Sequence, residues 1–487
     1  MSYPSLDEIR TLAETGEYRV APVSIELLAD ERTPMEVLRI LKTVSDRCFL
    51  LESAEDAERW GRYTFLGFDP KLTVRCRDGN MTVGDRHCRT EHPERYIREV
   101  LREWKSPRLP GLPPFTGGLV GYFSFEYLRY AEPSLRREDE DTDGFPDVDL
   151  MLFDRVIVFD RLRQKIVLIA NVELSSPEEN YRRAEAALTE LAELIRTGRP
   201  APPEPGRLAG DFTPMFQKEQ FCGIVEAAKA HIREGDVFQI VPSNRLEAPF
   251  EGSLLGAYRV LRTLNPSPYL FYFSGPELEA VGASPETLVK LENGLLHTYP
   301  LAGTRWRGKT AAEDATLERE LLSDEKELAE HNMLVDLGRN DLGRVSRFGT
   351  VEIESLHTVL RFSHVMHLGS AIRGELRDNC DALDAIAAVL PAGTLSGAPK
   401  LRACQILSEL EGNRRGIYGG AVGYLDFSGG MDTCIGIRLA YRRGGTAYVR
   451  SGAGIVADSV PENEYHECMN KAAAVVLAIQ EAEREGL

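Results

Sequence analysis

TLVKLENGLLHTYP, residues 287–300, sets two short apolar runs on either side of the dipeptide Asn293-Gly294. Asn-Gly is the preferred connection of a two-residue β-hairpin, because both residues adopt positive φ angles at little cost. The stretch therefore predicts two antiparallel strands that are joined by a tight turn.

Strand-like runs of the same kind recur on both sides of this hairpin. They include residues 48–53 (CFLLES), 62–68 (RYTFLGF), 117–125 (GGLVGYFSF), 420–428 (GAVGYLDFS) and 446–457 (TAYVRSGAGIVA). Segments with a helical pattern lie between them, such as residues 180–196 (NYRRAEAALTELAELIR). The Gly and Asn-Gly turns favour antiparallel hairpins over parallel crossovers. We therefore predict an α+β fold with a layered α/β/β/α architecture, mostly antiparallel sheets and outer helices.

One segment has the composition of a linker. Residues 198–214 (GRPAPPEPGRLAGDFTP) collect Pro and Gly directly after the predicted helix at 180–196. Such a composition disfavours both helix and strand. We therefore place a boundary near residue 205, between an N-terminal region (1–205) and a catalytic domain (206–487).

The composition excludes several classes of partner. The chain has 487 residues, with 76 Asp and Glu against 58 Lys and Arg, and its formal net charge is −18. This balance argues against nonspecific binding to nucleic acid or to anionic membranes. No apolar run approaches ~18 residues, and the amino end lacks the apolar core of a signal peptide. Eight scattered cysteines without a CxxC motif are typical of a reducing compartment, so we expect a cytoplasmic protein.

Two pairs of glutamates have helical spacing. Glu327 and Glu330 are three residues apart in a helical pattern, and so are Glu464 and Glu467, where Ser459 or Asp458 is the expected cap. The spacing puts both members of a pair on one helix face, where their oxygens suit a hard cation such as Mg²⁺. The alternative is that each pair is only part of a solvated surface, and spacing alone does not decide between the two.

Two segments of small residues are candidate anion sites. Residues 392–400 (AGTLSGAPK) and 451–454 (SGAG) allow successive backbone N–H groups to point toward a carboxylate. Arg438, in an apolar strand-like run, would offer a guanidinium fork to the same anion. Tight turns and an arginine that reaches solvent are the competing explanation.

Taken together, these segments resemble the chorismate-utilising enzymes. The similarity is nearly continuous from about residue 212 to 477. Before residue 200 it is limited to short segments such as 61–70 (GRYTFLGFDP). The matching motifs include GDVFQIVPSNR (235–245), GASPETLVK (282–290), PLAGTRWRG (300–308), DEKELAEHNMLVDLGRND (324–341), LPAGTLSGAPK (390–400) and GAGIVADSVPENEYHECMNKA (452–472). Their fixed order makes the resemblance far more specific than any single glycine motif.

The resemblance implies roles for the matching residues. The carboxylates that would bind an Mg²⁺ cofactor are those of Glu327, Glu330, Glu464 and Glu467. Substrate contacts would come from Thr394, Tyr418, Arg438, Lys471 and the backbone of Gly452, Ala453 and Gly454. Glu286 would be the general acid for a departing hydroxyl, and His367 would be an acid or base in a second half-reaction.

The resemblance also implies an activity. Ammonia would add to C2 of chorismate while hydroxide leaves C4, and loss of pyruvate would then give anthranilate, as in the first step of tryptophan synthesis. Members that add water carry a lysine base where this chain has Gln239, and an amide does not deprotonate water. Many members that make 4-amino-4-deoxychorismate for folate carry a nucleophilic lysine where this chain has Ala302. Some of those members lack it, so that product remains the alternative.

Two further segments resemble the site at which tryptophan inhibits such enzymes. The residues concerned are Leu51, Glu52, Ser53, Asn265, Pro268, Tyr269 and Leu270. Glu52 or Ser53 would accept from the ammonium group, and Pro268 and Tyr269 would form an apolar wall for the indole. Plain packing between sheets around a Pro-rich turn is the alternative explanation.

The source of ammonia is expected to be another protein. A glutaminase needs a nucleophilic cysteine in a tight elbow, whereas Cys222, in QFCGIVE, falls on a predicted helix. We therefore expect a separate glutamine amidotransferase subunit, and the resemblance implies an assembly with two copies of each.

Overall fold

The structure, a computed structural model, describes residues 2–54, 61–135, 144–361 and 365–487. The helices within these ranges are α1 (Leu6–Thr15), α2 (Pro34–Leu41), α3 (Pro93–Glu103), α4 (Leu128–Ala131), α5 (Pro177–Thr197), α6 (Lys218–Glu234), α7 (Leu255–Leu264), α8 (Ala311–Ser323), α9 (Glu325–Gly343), α10 (Ala382–Val389), α11 (Lys400–Glu411) and α12 (Pro461–Glu485). Short 3₁₀ turns lie at Phe125–Tyr127, Pro133–Leu135 and Gly393–Leu395.

The strands come from the whole length of the chain. They are β1 (Val20–Leu28), β2 (Cys48–Glu52), β3 (Tyr63–Phe68), β4 (Leu72–Arg77), β5 (Asn80–Val83), β6 (Arg86–Arg89), β7 (Gly118–Phe123), β8 (Val148–Phe153), β9 (Arg155–Asp160), β10 (Lys165–Glu173), β11 (Arg207–Leu208), β12 (Thr213–Pro214), β13 (Gln239–Ile240), β14 (Ser243–Glu251), β15 (Tyr269–Ser274), β16 (Glu279–Ser284), β17 (Thr287–Glu292), β18 (Leu295–Thr298), β19 (Leu301–Trp306), β20 (Glu352–Arg361), β21 (Val365–Glu375), β22 (Gly397–Ala398), β23 (Ala421–Asp426), β24 (Met431–Ile435), β25 (Leu439–Arg443) and β26 (Thr446–Gly452).

Two large antiparallel sheets organise these strands. The first has the order β1-β10-β9-β3-β2-β15-β16-β25-β26-β14-β11, with β12 beside β14. The second has the order β19-β21-β18-β17-β24-β23-β7-β8-β4-β5-β6, with β20 beside β21. A separate short ladder pairs β13 with β22. The predicted α+β class with mostly antiparallel sheets is confirmed.

The layers follow from how side chains alternate along each strand. On β15, Leu270 and Tyr272 join the core under α2, α5, α7 and α12, whereas Phe271 and Phe273 join the core between the two sheets. Successive side chains of a strand point to opposite faces, so one strand serves both cores. A third core packs the second sheet against α3, α9 and α10. The result is the predicted α/β/β/α stack.

The hairpin at residues 287–300 forms as predicted. β17 pairs antiparallel with β18, and Asn293 and Gly294 turn the chain with φ angles of 53° and 78°. Positive φ at both central residues is the requirement of a type I′ turn, whose twist matches that of the strands.

Both sheets join strands from either side of residue 205. In the first sheet β2 pairs with β15, and in the second sheet β7 pairs with β23. The division of the chain near residue 205 therefore stays a prediction, because the two regions share their sheets.

The helices that carry the glutamate pairs begin differently from the prediction. Asp324 separates α8 from α9 and caps α9, since its carboxylate accepts from the backbone N–H of Glu327 at 3.2 Å. α12 begins after Val460 without a side-chain cap, so neither Ser459 nor Asp458 caps it. The Ser459 hydroxyl accepts instead from the backbone N–H of Val456.

Across the described ranges, every helix is too short or too polar to cross a lipid bilayer.

Candidate active site

One cavity of about 580 Å³ collects most of the residues that the sequence singled out. Its walls come from α9, α12, β13, β19, β21 and β26 and from the connections β16–β17 and β24–β25. Predicted site residues on its walls are Gln239, Glu286, Glu327, Glu330, His367, Thr394, Tyr418, Arg438, Gly452, Gly454, Glu464, Glu467 and Lys471. The structure therefore brings the predicted acid, base, anion-binding and metal-binding residues into one place.

Glu286 is a buried carboxyl group in the connection between β16 and β17. Burial raises its pKa to about 8, although the hydroxyl of Thr394 and the charge of Arg438 act in the opposite direction. Thr394 donates to the Glu286 carboxyl at 3.2 Å. At neutral pH this group therefore holds a proton, which is the state a general acid needs.

Arg438 lies at the bend between β24 and β25, not within a strand as its apolar neighbours suggest. Its φ of 50° is in the left-handed region, which costs about 1–2 kcal/mol for a residue with a Cβ. Its Nη1 donates to the Asn265 side-chain oxygen at 3.2 Å. Burial lowers its pKa, and Glu286 opposes that effect. A strained, buried guanidinium on a cavity wall is suited to holding an anion.

The glycines of residues 451–454 leave room that no side chain would allow. A Cβ at Gly452 would lie 2.7 Å from the Pro242 carbonyl oxygen and 3.0 Å from the Tyr418 hydroxyl. A Cβ at Gly454 would lie 2.8 Å from Nε2 of Gln239. These glycines therefore let the backbone approach a bound molecule closely.

Ala453 departs from the predicted arrangement. Its side chain is fully buried in a separate core, and it is absent from the cavity wall. Its backbone N–H already donates to the Pro242 carbonyl oxygen at 3.2 Å. Of the predicted cradle, Gly452 and Gly454 line the cavity and Ala453 does not.

His367 faces the cavity from β21. Its Nδ1 lies 3.0 Å from the carbonyl oxygen of Gly303, which fixes the proton on that nitrogen. Burial lowers the pKa of His367, so the ring is neutral at pH 7 and Nε2 is its basic atom.

The four glutamates of α9 and α12 line the same cavity. Burial raises the pKa of Glu330, and the neighbouring Glu327 raises it further. Burial also raises the pKa of Glu464, with Glu467 adding to the effect. Lys471 pairs with Glu467 at 2.7 Å and Arg305 with Glu327 at 3.2 Å. Within each pair the two carboxylates thus disfavour each other's charge, an effect that a bound cation would relieve.

The donor set fits Mg²⁺. Carboxylate oxygens from two helices, together with water and substrate oxygens, are the ligands that Mg²⁺ prefers. The cavity wall also carries cations, namely Lys326, Arg438, Arg450 and Lys471. Four basic side chains thus share the cavity with the four glutamates, and a divalent cation would help to neutralise the charge of a dianionic substrate.

Elsewhere in the described ranges, the ligand atoms of His231, Glu234 and Asp236 lie within 4.8 Å of one another. Asp236 there is already bonded to Arg402 at 2.8 Å, so a surface ion pair explains this trio.

Gln239 and Ala302 face the same cavity. The side-chain amide of Gln239 lowers the pKa of Glu330, against the effect of burial. The side chain at position 239 thus lies near a predicted metal-binding residue and carries no base. The methyl group of Ala302 carries no nucleophile.

A second cavity of about 590 Å³ lies between the two sheets. Predicted inhibitor-site residues on its walls are Leu51, Glu52, Ser53, Pro268, Tyr269 and Leu270. The opposite wall comes from the second sheet, and it includes Lys290, Tyr424 and Asp432. The cavity therefore combines apolar surface with charged groups, as a zwitterionic aromatic ligand requires.

Two residues of this set have other partners. The Glu52 carboxylate accepts from the Tyr258 hydroxyl at 2.6 Å and from Arg262 at 2.9 Å. It is therefore already satisfied, which disfavours it as the acceptor for a ligand's ammonium group. Asn265 is absent from the wall of the second cavity and bonds to Arg438 in the first. It thus contacts a residue of the first cavity, not the second.

Comparison with known proteins identifies the family. The sequence model of the chorismate binding enzymes matches residues 46–477. The chain belongs to this family. Anthranilate synthase component 1 of Acetivibrio thermocellus is 44% identical over 494 residues, which cover 99% of each chain. The protein of the same name from Aquifex aeolicus (strain VF5) is 44% identical over 489 residues, covering 98% of each.

Solved structures agree with this assignment. Anthranilate synthase component I from Streptococcus pneumoniae TIGR4 superposes with a TM-score of 0.77 at 38% identity, covering 85% of this chain and 92% of that one. The menaquinone-specific isochorismate synthase from Escherichia coli gives a TM-score of 0.71 at 20% identity, over 98% of this chain and 99% of that one. The second likeness shows a shared fold and carries no argument about activity.

The sequence did not reveal a buried charge network that adjoins the cavity. Glu411, Arg415 and Arg450 are buried and bonded to one another, and Arg450 also lines the cavity. The only sequence signal is the four-residue spacing of Glu411 and Arg415, which a helix surface would show equally well. Which of Arg414 and Arg415 turns inward depends on the left-handed turn at Gly412, where α11 ends.

Proposed function

We propose that the chain catalyses the reaction of anthranilate synthase component I, in which chorismate and ammonia give anthranilate and pyruvate. The observation that carries this proposal is that a protonated buried acid, an anion cradle and two carboxylate pairs share one cavity. Names of relatives that match nearly the whole chain support the same reaction.

Substrate binding follows from the positions of the cationic and small residues. The guanidinium of Arg438 and the backbone at Gly452 and Gly454 would hold a carboxylate of chorismate, and the Tyr418 hydroxyl lies beside Gly452. Lys471 faces the glutamate end of the cavity. This arrangement orients the ring with C4 toward Glu286 and fixes one face for attack at C2.

Glu286 would supply the proton that the leaving hydroxyl needs. Hydroxide is a poor leaving group, so the C4 oxygen must leave as water, and a carboxyl with a pKa of about 8 remains protonated at neutral pH. Ammonia attacks C2 as the ring double bonds shift, which gives aminodeoxyisochorismate. His367 is neutral and is placed to accept or return a proton when the enolpyruvyl group leaves as pyruvate and the ring becomes aromatic.

We propose that Glu327, Glu330, Glu464 and Glu467 hold Mg²⁺. The bound cation would supply Lewis-acid stabilisation of the ring carboxylate and the departing oxygen.

Ammonia, not water, is the proposed nucleophile, because position 239 carries an amide where hydroxylation needs a base. We propose that a separate glutamine amidotransferase subunit delivers it. All eight cysteines are free thiols, and burial raises the pKa of seven of them. A glutaminase nucleophile requires a lowered pKa, which none of these seven has. A reducing cytoplasm suits eight free thiols.

Product analysis tests the reaction. We expect the purified chain, supplied with chorismate, Mg²⁺ and an excess of ammonium salt at a pH no higher than the Glu286 pKa of about 8, to form fluorescent anthranilate and equimolar pyruvate. Chromatography of the products would contradict the proposal if it showed 4-amino-4-deoxychorismate or isochorismate in place of anthranilate.

We propose that tryptophan inhibits the enzyme by binding in the second cavity. The wall residues Leu51, Pro268 and Leu270 are apolar, and Ser53 is 5% exposed at one edge. Asn265, which follows α7 and bonds to Arg438, is the direct connection from this segment to the substrate cavity. The Glu52 carboxylate would hold the wall together, not the ligand.

Replacing Ser53 with phenylalanine should relieve that inhibition. A phenyl ring in the second cavity would overlap the ligand, and overpacking of about 1–3 kcal/mol corresponds to roughly 5- to 150-fold weaker inhibition. Tryptophan titrations of the initial rate measure the change, with Ser175→Phe on an exposed loop as the control. A wild-type enzyme that does not respond to tryptophan would refute the regulatory proposal alone.

A further inference from the structure

The carboxylate of Glu411 is the centre of a buried network beside the substrate cavity. Glu411 ends α11, and its oxygens accept from Arg415 Nη2 at 2.5 Å and from Arg450 Nη2 at 2.9 Å. It also accepts from the backbone N–H of Ser243 at 2.7 Å and from the Ser243 hydroxyl at 2.9 Å. One carboxylate thus fixes two guanidinium groups and the first residue of β14.

The two guanidinium groups extend the network to other segments. Arg415 donates to the carbonyl oxygens of Leu395 at 2.6 Å and Val241 at 2.7 Å. Arg450 donates to the Ser243 hydroxyl at 2.8 Å and to the Arg414 carbonyl oxygen at 2.7 Å. Because a guanidinium is planar and rigid, these bonds fix the relative positions of the segments they join.

Each connected segment carries a residue of the proposed substrate site. Leu395 follows Thr394, whose hydroxyl donates to Glu286. Ser243 is paired with Gly452 across β14 and β26. The Tyr418 ring lies 5.9 Å from the Arg415 guanidinium. The network therefore connects the hydroxyl, the glycine backbone and the phenol of the substrate site.

Stability does not explain this arrangement well. A buried ion pair costs desolvation free energy, and well-packed apolar residues of similar volume are often at least as stable. Two guanidinium groups around one carboxylate also leave an excess of one positive charge next to a cavity for a dianion. Both facts favour a role in binding.

We propose that Glu411 is a positioning residue for chorismate: it holds Arg415 and Arg450 so that the segments of Thr394, Tyr418 and Gly452 keep the spacing that the substrate requires. This inference rests on the proposed function, because it assumes that chorismate occupies the first cavity. Glu411 acts through its neighbours and need not contact the substrate.

Steady-state kinetics of two variants test the proposal. Arg415→Lys keeps a positive charge beside Glu411 but removes the fork that reaches the Leu395 and Val241 carbonyls. Glu411→Gln replaces one acceptor oxygen with an NH₂ group, which cannot accept the hydrogen bonds that this oxygen receives from a guanidinium group and the Ser243 backbone N–H. We expect both variants to raise the KM for chorismate at least about tenfold, since small misplacements of a site cost up to about a hundredfold. The KM for ammonium should stay within about twofold of the wild type.

Glu279→Gln is the matched control. Glu279 is also a buried carboxylate and accepts from the Ser253 and Tyr272 hydroxyls at 2.6 and 2.8 Å, but it is absent from the cavity wall. Its loss should lower the thermal midpoint without changing the KM for chorismate.

The outcomes separate the two hypotheses. A wild type that forms no anthranilate overturns the proposed function. An active wild type whose Arg415→Lys variant keeps a chorismate KM within about twofold overturns the positioning role of the network. If Glu411→Gln does not fold, Arg415→Lys decides alone, because it preserves the buried charge balance.

Discussion

Replacing Glu286 with glutamine is expected to lower kcat for anthranilate formation by about 10²–10⁴-fold, with little change in the KM for chorismate. Glutamine keeps the size of the side chain and can still accept from Thr394, so the substrate site stays intact. The variant loses the proton that the C4 hydroxyl must receive. Initial rates with saturating ammonium salt and Mg²⁺, followed by anthranilate fluorescence, measure the effect.

The pH dependence gives this prediction a second signature. Since the acid form of Glu286 is active and its pKa is about 8, wild-type kcat should fall as pH rises through about 8. The concentration of free ammonia must be held constant, because ammonium titrates in a similar range. Glu251→Gln, at an exposed position of β14, should behave like the wild type. A Glu286→Gln enzyme that keeps both its rate and this alkaline limb would exclude Glu286 as the acid.

Replacing Glu330 with glutamine is expected to remove most Mg²⁺-dependent activity. Glu330 is half-buried on the cavity wall, and an amide in its place supplies a neutral oxygen to the proposed cation. Loss of one ligand should weaken Mg²⁺ binding by about 10–100-fold and lower kcat by a similar or larger factor. Rates as a function of Mg²⁺ concentration and calorimetric Mg²⁺ titrations report the two effects separately.

Glu325 provides the matched control for this variant. It lies on the same helix, α9, with its side chain exposed. Glu325→Gln should leave the Mg²⁺ dependence unchanged. The metal assignment fails if Glu330→Gln and Glu325→Gln have the same Mg²⁺ dependence.

Local sequence patterns were sufficient for the elements and the class of the fold. The Asn293-Gly294 turn depends on a few neighbouring residues, and it was predictable. The order of strands was not predictable, because it pairs β2 with β15 and β7 with β23 over long sequence separations. Such pairings depend on the packing of whole sheets.

Some features of the candidate site were likewise predictable from local sequence, and others were not. The spacing of Glu327 and Glu330 placed both on one helix face, and the structure puts both on one cavity wall. The left-handed backbone of Arg438, the buried position of Ala453 and the partners of Glu52 depend on tertiary contacts. No spacing rule reports those contacts, which explains why the network around Glu411 was missed.

Each large sheet contains strands from both sides of residue 205, and this has a consequence for protein engineering. If the gene were divided at the Pro-rich segment, the two fragments would lose the pairings of β2 with β15 and of β7 with β23. The apolar edge strands exposed in each fragment would pair with other chains, and the fragments would aggregate. Fusion or insertion is better tolerated at the tip between β25 and β26. There Gly444 and Gly445 are exposed, and a Cβ on either would meet no neighbouring atom within 4 Å.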